Sequence, residues 1–225
     1  MAYSLENVVP WGRTFDEYAT FFALNDADLS KSILGCGDGP ASFNVEATER
    51  GVKVVSCDPI YAFPADAIRR RIDETYPVIM AQTRAHQEQF LWNHYKTPDN
   101  LASLRMQAMT RFLEDYQTEP SRYVASALPN LPFHDDAFDL ALCSHFLFLY
   151  SEQLDRDFHQ RSVIEMLRVA NEIRIFPLLG LTVQTSAHLE PVMAMLGAQG
   201  YDCQIETVAY EFQRGGNKML RIRRS

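Results

Sequence analysis

Three glycines at alternate positions stand in the run Ile33-Leu34-Gly35-Cys36-Gly37-Asp38-Gly39, between a short apolar segment and a helical one. Glycine is needed where the backbone takes positive φ, or where a ligand must approach the main chain closely. Three of them leave a floor free of side chains beside the amides of a helix N-terminus. Asp58 follows Gly37 by 21 residues and closes the next β-branched run. A carboxylate there can accept hydrogen bonds from both hydroxyls of a ribose. Strand, loop, helix, strand and terminal acid together describe a nucleoside pocket at the carboxyl edge of a sheet. Tight-turn glycines and a helix-capping Asp are the plainer alternative. A dinucleotide site needs G-x-G-x-x-G, but the third glycine position holds Pro40, which donates no backbone hydrogen bond. The spacing disfavours NAD and with it a short dehydrogenase.

The elements that must position these residues are legible from periodicity. Residues 15–22 carry apolar and aromatic side chains at helical spacing and read as a covering helix. Residues 31–34 form a first strand, 41–50 a helix closed by Gly51, and 52–57 a second strand. Residues 64–120 lack strand signal and hold two helical stretches, 65–95 and 100–116; Pro77 should break or kink the longer one. Strands follow at 121–127 and 138–143, the second nearly continuous in apolar residues, as suits a strand buried on both faces. A helix at 155–170, a strand at 172–179 and a helix at 189–197 come next. Two final strands, 202–212 and 218–223, are joined by a Gly-Gly turn at 213–217. The alternation predicts a single α/β domain over residues 1–225. Its sheet is doubly wound, mostly parallel and seven-stranded, with an antiparallel C-terminal strand and a helical insertion or lid after strand two.

With these motifs in order, the chain resembles the class I S-adenosylmethionine-dependent methyltransferases, a Rossmann-like family. The glycine loop resembles that family's first motif. The segment from Leu128 to Leu140, reading LPNLPFHDDAFDL, looks like its "LPF-x-D-x-x-FD" stretch. Cys143-Ser144-His145-Phe146-Leu147 resembles the end of its fourth strand, and Glu165-Met166-Leu167-Arg168-Val169 its following helix. The resemblance thins over the insertion. It implies a methyltransferase with S-adenosylmethionine as cofactor, held by Gly35, Cys36, Gly37, Gly39, Asp58, Pro59, Ser126, Ala127 and Ser144, with no metal. The family carries an acid beside the adenine at the end of strand three; this chain has Ser126. The resemblance also puts the transferred methyl beside His145, whose ordinary pKa near 6.5 suits a general base. A histidine that merely shapes the pocket is the alternative. Tyr150 is the second catalytic candidate, and Ser144 a weaker one.

Other residues are less telling. Trp11-Gly12-Arg13 sets an indole beside a guanidinium, able to close over a substrate or simply to pack. His134, His159 and His188 read as surface or capping residues, and His86 and His94 lack the spacing of a metal site. Cys36, Cys57, Cys143 and Cys203 show no C-x-x-C pairing and read as free thiols in a reducing cytoplasm. The formal net charge of −8 argues against a nucleic-acid partner. Arg69-Arg70-Arg71 reads as a solvated helix face, and Arg221, Arg223 and Arg224 as the exposed side of the last strand. The Asp/Asn-Pro-Pro-aromatic motif of amino-group nucleic-acid methyltransferases is absent after strand four. Apolar runs are too short to span a bilayer, and residues 1–6 carry no secretory signal. The expectation is a cytoplasmic methyltransferase for an unidentified small molecule. The alternative is a non-catalytic S-adenosylmethionine-binding module of the same fold.

Overall fold

The most apolar strand runs fall at the centre of the sheet, where both faces are covered. In the computed structural model, which describes residues 9–224, β1 (Ser32–Cys36) lies between β2 (Lys53–Cys57) and β4 (Phe138–Ser144). Ile33, Leu34, Leu140, Ala141, Leu142 and Cys143 are sealed from solvent. With β3 (Tyr123–Val124), β5 (Ala170–Phe176), β6 (Tyr201–Thr207) and β7 (Lys218–Arg224) the sheet order is β3-β2-β1-β4-β5-β7-β6. The pairings among β1 to β5 are parallel, and β7 runs antiparallel to both its neighbours. The fold class expected from sequence is therefore observed. The expectation for residues 1–6 lies outside the described residues.

The chain winds outward from β1 to β3, then returns to β4 beside β1. The strand order reverses there, and a crevice opens beyond the carboxyl ends of the central strands. One face is covered by α6 (Arg156–Val169) and α7 (Leu189–Ala198), whose Val163, Met166, Val192 and Leu196 pack on Ile173, Ile175 and Ile222. The other is covered by α1 (Phe15–Phe21) and α3 (Phe43–Glu49), with α2 (Asp26–Leu29) beside them; there Tyr18 stacks on Phe43 at 4.2 Å between ring centroids. The insertion supplies α4 (Ala65–Ala85) and α5 (Pro98–Thr118), joined through Ile68, Ile72, Met109 and Phe112.

Several boundaries differ from the sequence expectation. α4 runs through Pro77 unbroken and stops at Ala85, with residues 86–97 forming turns. A proline costs a helix about 3 kcal/mol, which the buried stripe of α4 can offset because most helical stability in proteins comes from packing. β3 is only Tyr123–Val124, since Pro120–Arg122 closes instead as a 3-10 turn. The last two strands are not joined by a tight Gly-Gly turn: β6 stops at Thr207 and residues 208–217 form a long loop. That loop bends back over the crevice onto the insertion. Leu91 N donates to Phe212 O at 2.7 Å, Arg214 N to Gln89 O at 3.2 Å, and Phe90 stacks on Phe212 at 4.6 Å. The C-terminal arginines are committed to the sheet: Arg221 pairs with Glu172 and Glu206, Arg223 with Asp202, and Arg224 with Asp136. Arg69, Arg70 and Arg71 are exposed on α4, as expected. Cys36, Cys57 and Cys143 are buried free thiols. Among the described residues no helix is long and apolar enough to cross a membrane.

One buried ion pair links α1 to the insertion. Arg105 of α5 donates to Glu17 of α1 through Nη1 at 2.7 Å and Nη2 at 2.6 Å, and both side chains are at most 2 % exposed. Tyr95 hydrogen-bonds Glu17, receives a bond from Arg105 and meets the Tyr210 hydroxyl at 2.7 Å. Burial alone would raise the Glu17 carboxyl, but the Arg105 charge and its hydrogen bonds hold it down at about 2. Removing one partner of such a pair costs about 3–5 kcal/mol, because the other charge is stranded. Urea titration of Arg105→Met is expected to show that loss, with Glu17→Gln/Arg105→Met recovering part of it. A carboxyl depressed below its unfolded value near 4.3 adds stability above that pH and loses it as pH falls toward 2. The wild type should therefore lose more stability than the double variant between about pH 4.5 and 2.5.

Candidate functional site

β1 delivers the glycine loop to the crevice, and its three glycines serve two physical needs. Gly35 is still in the strand. A Cβ there would lie 1.8 Å from Oδ2 of Asp38, so this glycine makes room for a carboxylate rather than for a ligand. Gly37 and Gly39 take φ of 69° and 55°, the left-handed region that favours glycine. Gly37 N donates to Cys57 O at 2.8 Å, and Gly39 N donates to Oδ2 of Asp58 at 2.9 Å. A Cβ at Gly39 would meet only Asp58 Oδ2, at 4.0 Å, so the crest of the loop is open.

β2 delivers Asp58. Its Oδ1 accepts from Ile60 N at 2.8 Å, capping the 3-10 turn Pro59–Ala62. Each carboxylate oxygen thus takes one backbone N–H and keeps a lone pair. Asp38, within the loop, is sealed beneath it, accepting from Tyr18 Oη at 2.8 Å and Ser56 Oγ at 2.6 Å. Burial pushes Asp38 up to about 7, against the lowering effect of those two donors. Burial likewise pushes Asp58 up to about 6, against the donations from Ile60 and Gly39.

β4 and β5 deliver the opposite wall. Ser144 ends β4, and the chain then turns through His145, whose φ is 51°. Its backbone N donates to Phe176 O at 2.6 Å, and its Nδ1 lies 3.0 Å from Ser144 Oγ. The imidazole packs on Phe21 at 4.8 Å and Phe176 at 5.3 Å, and its Nε2 has no hydrogen-bond partner among the described residues. Burial, followed by the charges of Arg13 and Arg105, holds it well below the ordinary histidine range. It is therefore neutral near pH 7 and able to accept a hydrogen bond. The Tyr150 hydroxyl, also on this wall, accepts from Val9 N at 3.3 Å.

One cavity brings these groups together. Gly37, Asp38, Gly39 and Asp58 line one end, Ser144, His145 and Tyr150 one side, and Trp11, Phe90, Tyr210 and Phe212 the roof. Other expected site residues lie elsewhere. Cys36 has its side chain in the core, and Pro59 is exposed at the start of the 3-10 turn. Ser126 and Ala127 are outside the cavity lining. Ser126 Oγ donates to Asn130 O at 2.9 Å, and Ala127 is exposed. Trp11 and Arg13, which the sequence left between closure and packing, both face the cavity. His159 is neither surface nor cap. It is fully buried, with its ring nitrogens 2.7 Å from Asp155 O and 2.8 Å from Leu147 O, because the chain after β4 folds across α6. His188 holds the N-cap position of α7, and its ring lies tilted against His159 at 4.3 Å between centroids. The sequence reading assigned no role to Asp38, Tyr18 or the Glu17–Arg105–Tyr95–Tyr210 cluster. Asp38 alone carried a signal, as an acid inside the glycine run; the others are far apart in the chain.

Two outcomes are expected from this geometry. An acid whose folded pKa is raised binds more protons folded than unfolded, so stability falls as pH rises from about 4 through the folded value. Melting temperatures of the wild type should decline from pH 5 to pH 8, and Asp38→Asn should flatten the decline. Gly35→Ala should cost about 1–3 kcal/mol by overpacking, and adding Asp38→Ala should recover much of it, as coupled neighbours do; chemical denaturation measures both.

No protein-family model matches the chain. It is 36% identical over 222 residues to the uncharacterized protein MJ0045 of Methanocaldococcus jannaschii, covering 98% of each chain. Among solved structures, magnesium protoporphyrin IX methyltransferase of Synechocystis PCC 6803 with bound SAM superposes with a TM-score of 0.52 at 10% identity, covering 94% of this chain and 78% of that one. The same enzyme with bound SAH gives 0.50 at 13% identity, covering 94% and 82%. At such identity the likeness is one of fold.

Proposed function

This chain belongs to the family of the M. jannaschii protein MJ0045 and has the class I S-adenosylmethionine-dependent methyltransferase fold, and on that premise we propose that it is a methyltransferase acting on a small molecule. The observation that carries the reading is the open crest of the glycine loop at Gly39, a left-handed glycine whose N–H meets Asp58. S-adenosylmethionine suits those groups. The loop offers backbone without side chains, and Asp58 keeps a lone pair on each oxygen for the ribose hydroxyls. Gly37, Gly39, Asp58 and Ser144 hold it in this reading, while Gly35 and Cys36 shape the loop from beneath. The cofactor supplies an activated methyl group, so the protein's work is alignment and exclusion of water.

The acceptor occupies the rest of the cavity, under the roof formed by the insertion and residues 208–217. A roof of aromatic and aliphatic side chains excludes water from a transfer that hydrolysis would otherwise waste. His145 is the residue proposed to meet the acceptor. Its neutral imidazole presents Nε2 as a hydrogen-bond acceptor, and Ser144 steadies Nδ1. Its depressed basicity fits an acceptor that needs orientation and little deprotonation. Tyr150 lies beside it as a second hydrogen-bonding group. The cavity is lined largely by aromatic and aliphatic side chains and the chain is acidic, which favours a small molecule over nucleic acid.

The test is calorimetric titration with S-adenosylmethionine, S-adenosylhomocysteine and NAD. Both sulfur nucleosides are expected to bind and NAD not to; failure of both to bind would overturn the reading. Asp58→Ala should lose about 1.5–3 kcal/mol of S-adenosylhomocysteine affinity, the worth of a charge-assisted hydrogen bond. His145→Ala should leave that affinity within about twofold, since a twofold change is well under 1.4 kcal/mol.

A further inference from the structure

Arg13 enters the cavity from a segment that has almost no freedom. Its carbonyl accepts from Ser42 N at 2.9 Å. A Cβ on the preceding Gly12 would lie 2.1 Å from Pro40 O, so the backbone there is pressed against the start of the helical layer. The guanidinium's Nη1 donates to Trp11 O at 2.9 Å, and its Nε is buried with no hydrogen-bond partner. Among the described residues no carboxylate lies within ion-pair distance of Arg13. Glu17, whose charge acts on it, is already held in two hydrogen bonds by Arg105. A fixed cation with an empty N–H, facing a cavity of its own protein, lacks the counter-charge that buried ions need. A planar guanidinium meets that need best with a carboxylate, through two parallel hydrogen bonds.

The surroundings indicate which carboxylate. Arg13 lines the same cavity as Tyr210 of the roof and His145 and Tyr150 of the wall, and its charge bears on all three and on Tyr95 behind them. Trp11, Phe90, Phe176 and Phe212 complete an aromatic enclosure around the same space. Asp38 and Asp58, at the loop end, owe their raised values to burial. We propose that Arg13 binds the carboxylate of the methyl acceptor, and that the acceptor is an aromatic acid whose ring lies under Trp11 and Phe212. The inference rests on reading this cavity as a methyl-acceptor site. Charge and shape then divide the work: Arg13 anchors the acid group, the aromatic walls hold the ring, and His145 faces the atom to be methylated.

The experiment uses the full chain saturated with S-adenosylhomocysteine, titrated calorimetrically with 4-hydroxyphenylacetate and with its uncharged amide. The acid is expected to bind at least about tenfold tighter than the amide, a difference of 1.4 kcal/mol. Arg13→Met should abolish that preference, and Arg13→Lys should keep part of it, since lysine retains the charge and loses the fork. S-adenosylhomocysteine affinity should stay within about twofold in both variants, which also reports that they remain folded. Equal binding of acid and amide by the wild type, or no binding of the acid, overturns the proposal. So does a variant that weakens S-adenosylhomocysteine but not 5′-methylthioadenosine, because the guanidinium then belongs to the nucleoside's own carboxylate. Failure of the wild type to bind either nucleoside overturns the methyltransferase reading instead, and is measured separately before the acid is added.

Discussion

The ion pair between Glu17 and Arg105 is the interaction on which the upper half of the molecule depends. The sheet, α6 and α7 would pack without it, because their apolar faces meet directly. The covering helix and the insertion have less contact of that kind, and a charged pair at most 2 % exposed joins them. Its worth is conditional. Two ions taken from water give little net gain when paired, and a large loss when one is removed. The pair therefore specifies an arrangement more than it adds stability. With Arg105 in place, Tyr95 and Tyr210 have one hydrogen-bonding solution, and the long β6–β7 loop is drawn over the crevice.

A second constraint works beneath the glycine loop. Asp38 is a buried acid held by a tyrosine from α1 and a serine from β2, in space that only glycine at position 35 leaves free. This ties the covering helix to the loop from below, as Glu17 ties it to the insertion from the side. The loop is then preorganised: its left-handed residues are held by a buried network at the same end of the cavity. Preorganisation of this kind matters where a reaction needs alignment more than covalent assistance.

The charge field in the cavity is uneven. Two carboxyls with raised pKa values mark one end, while guanidiniums stand near the other, where burial and then their charge keep His145 neutral. An anion beside the arginine would find the sign it needs. Burial, with that field behind it, weakens His145 as a base, which separates the roles of holding and deprotonating an acceptor. Its ordinary solution pKa, the basis for choosing it from sequence, is not the value it has in place.

The sequence by itself determined the sheet, its winding and the glycine loop facing Asp58, because these depend on local matters: apolar periodicity, glycines at alternate positions and an acid at a strand end. Ser144, His145 and Tyr150 were legible for the same reason, as residues just past a recognisable strand. Tertiary structure decided the rest. Pro77 sits in an unbroken helix because a buried face outweighs a lost backbone bond. The final hairpin became a roof because Phe212 found Phe90 across the chain. Ser126 and Ala127 turned to their own loop, and Gly35 proved to serve Asp38. Glu17, Tyr95, Arg105 and Tyr210 are too distant in sequence for any spacing to connect them. Only burial, which makes an unpaired charge costly, brings them together, and no local pattern encodes that penalty.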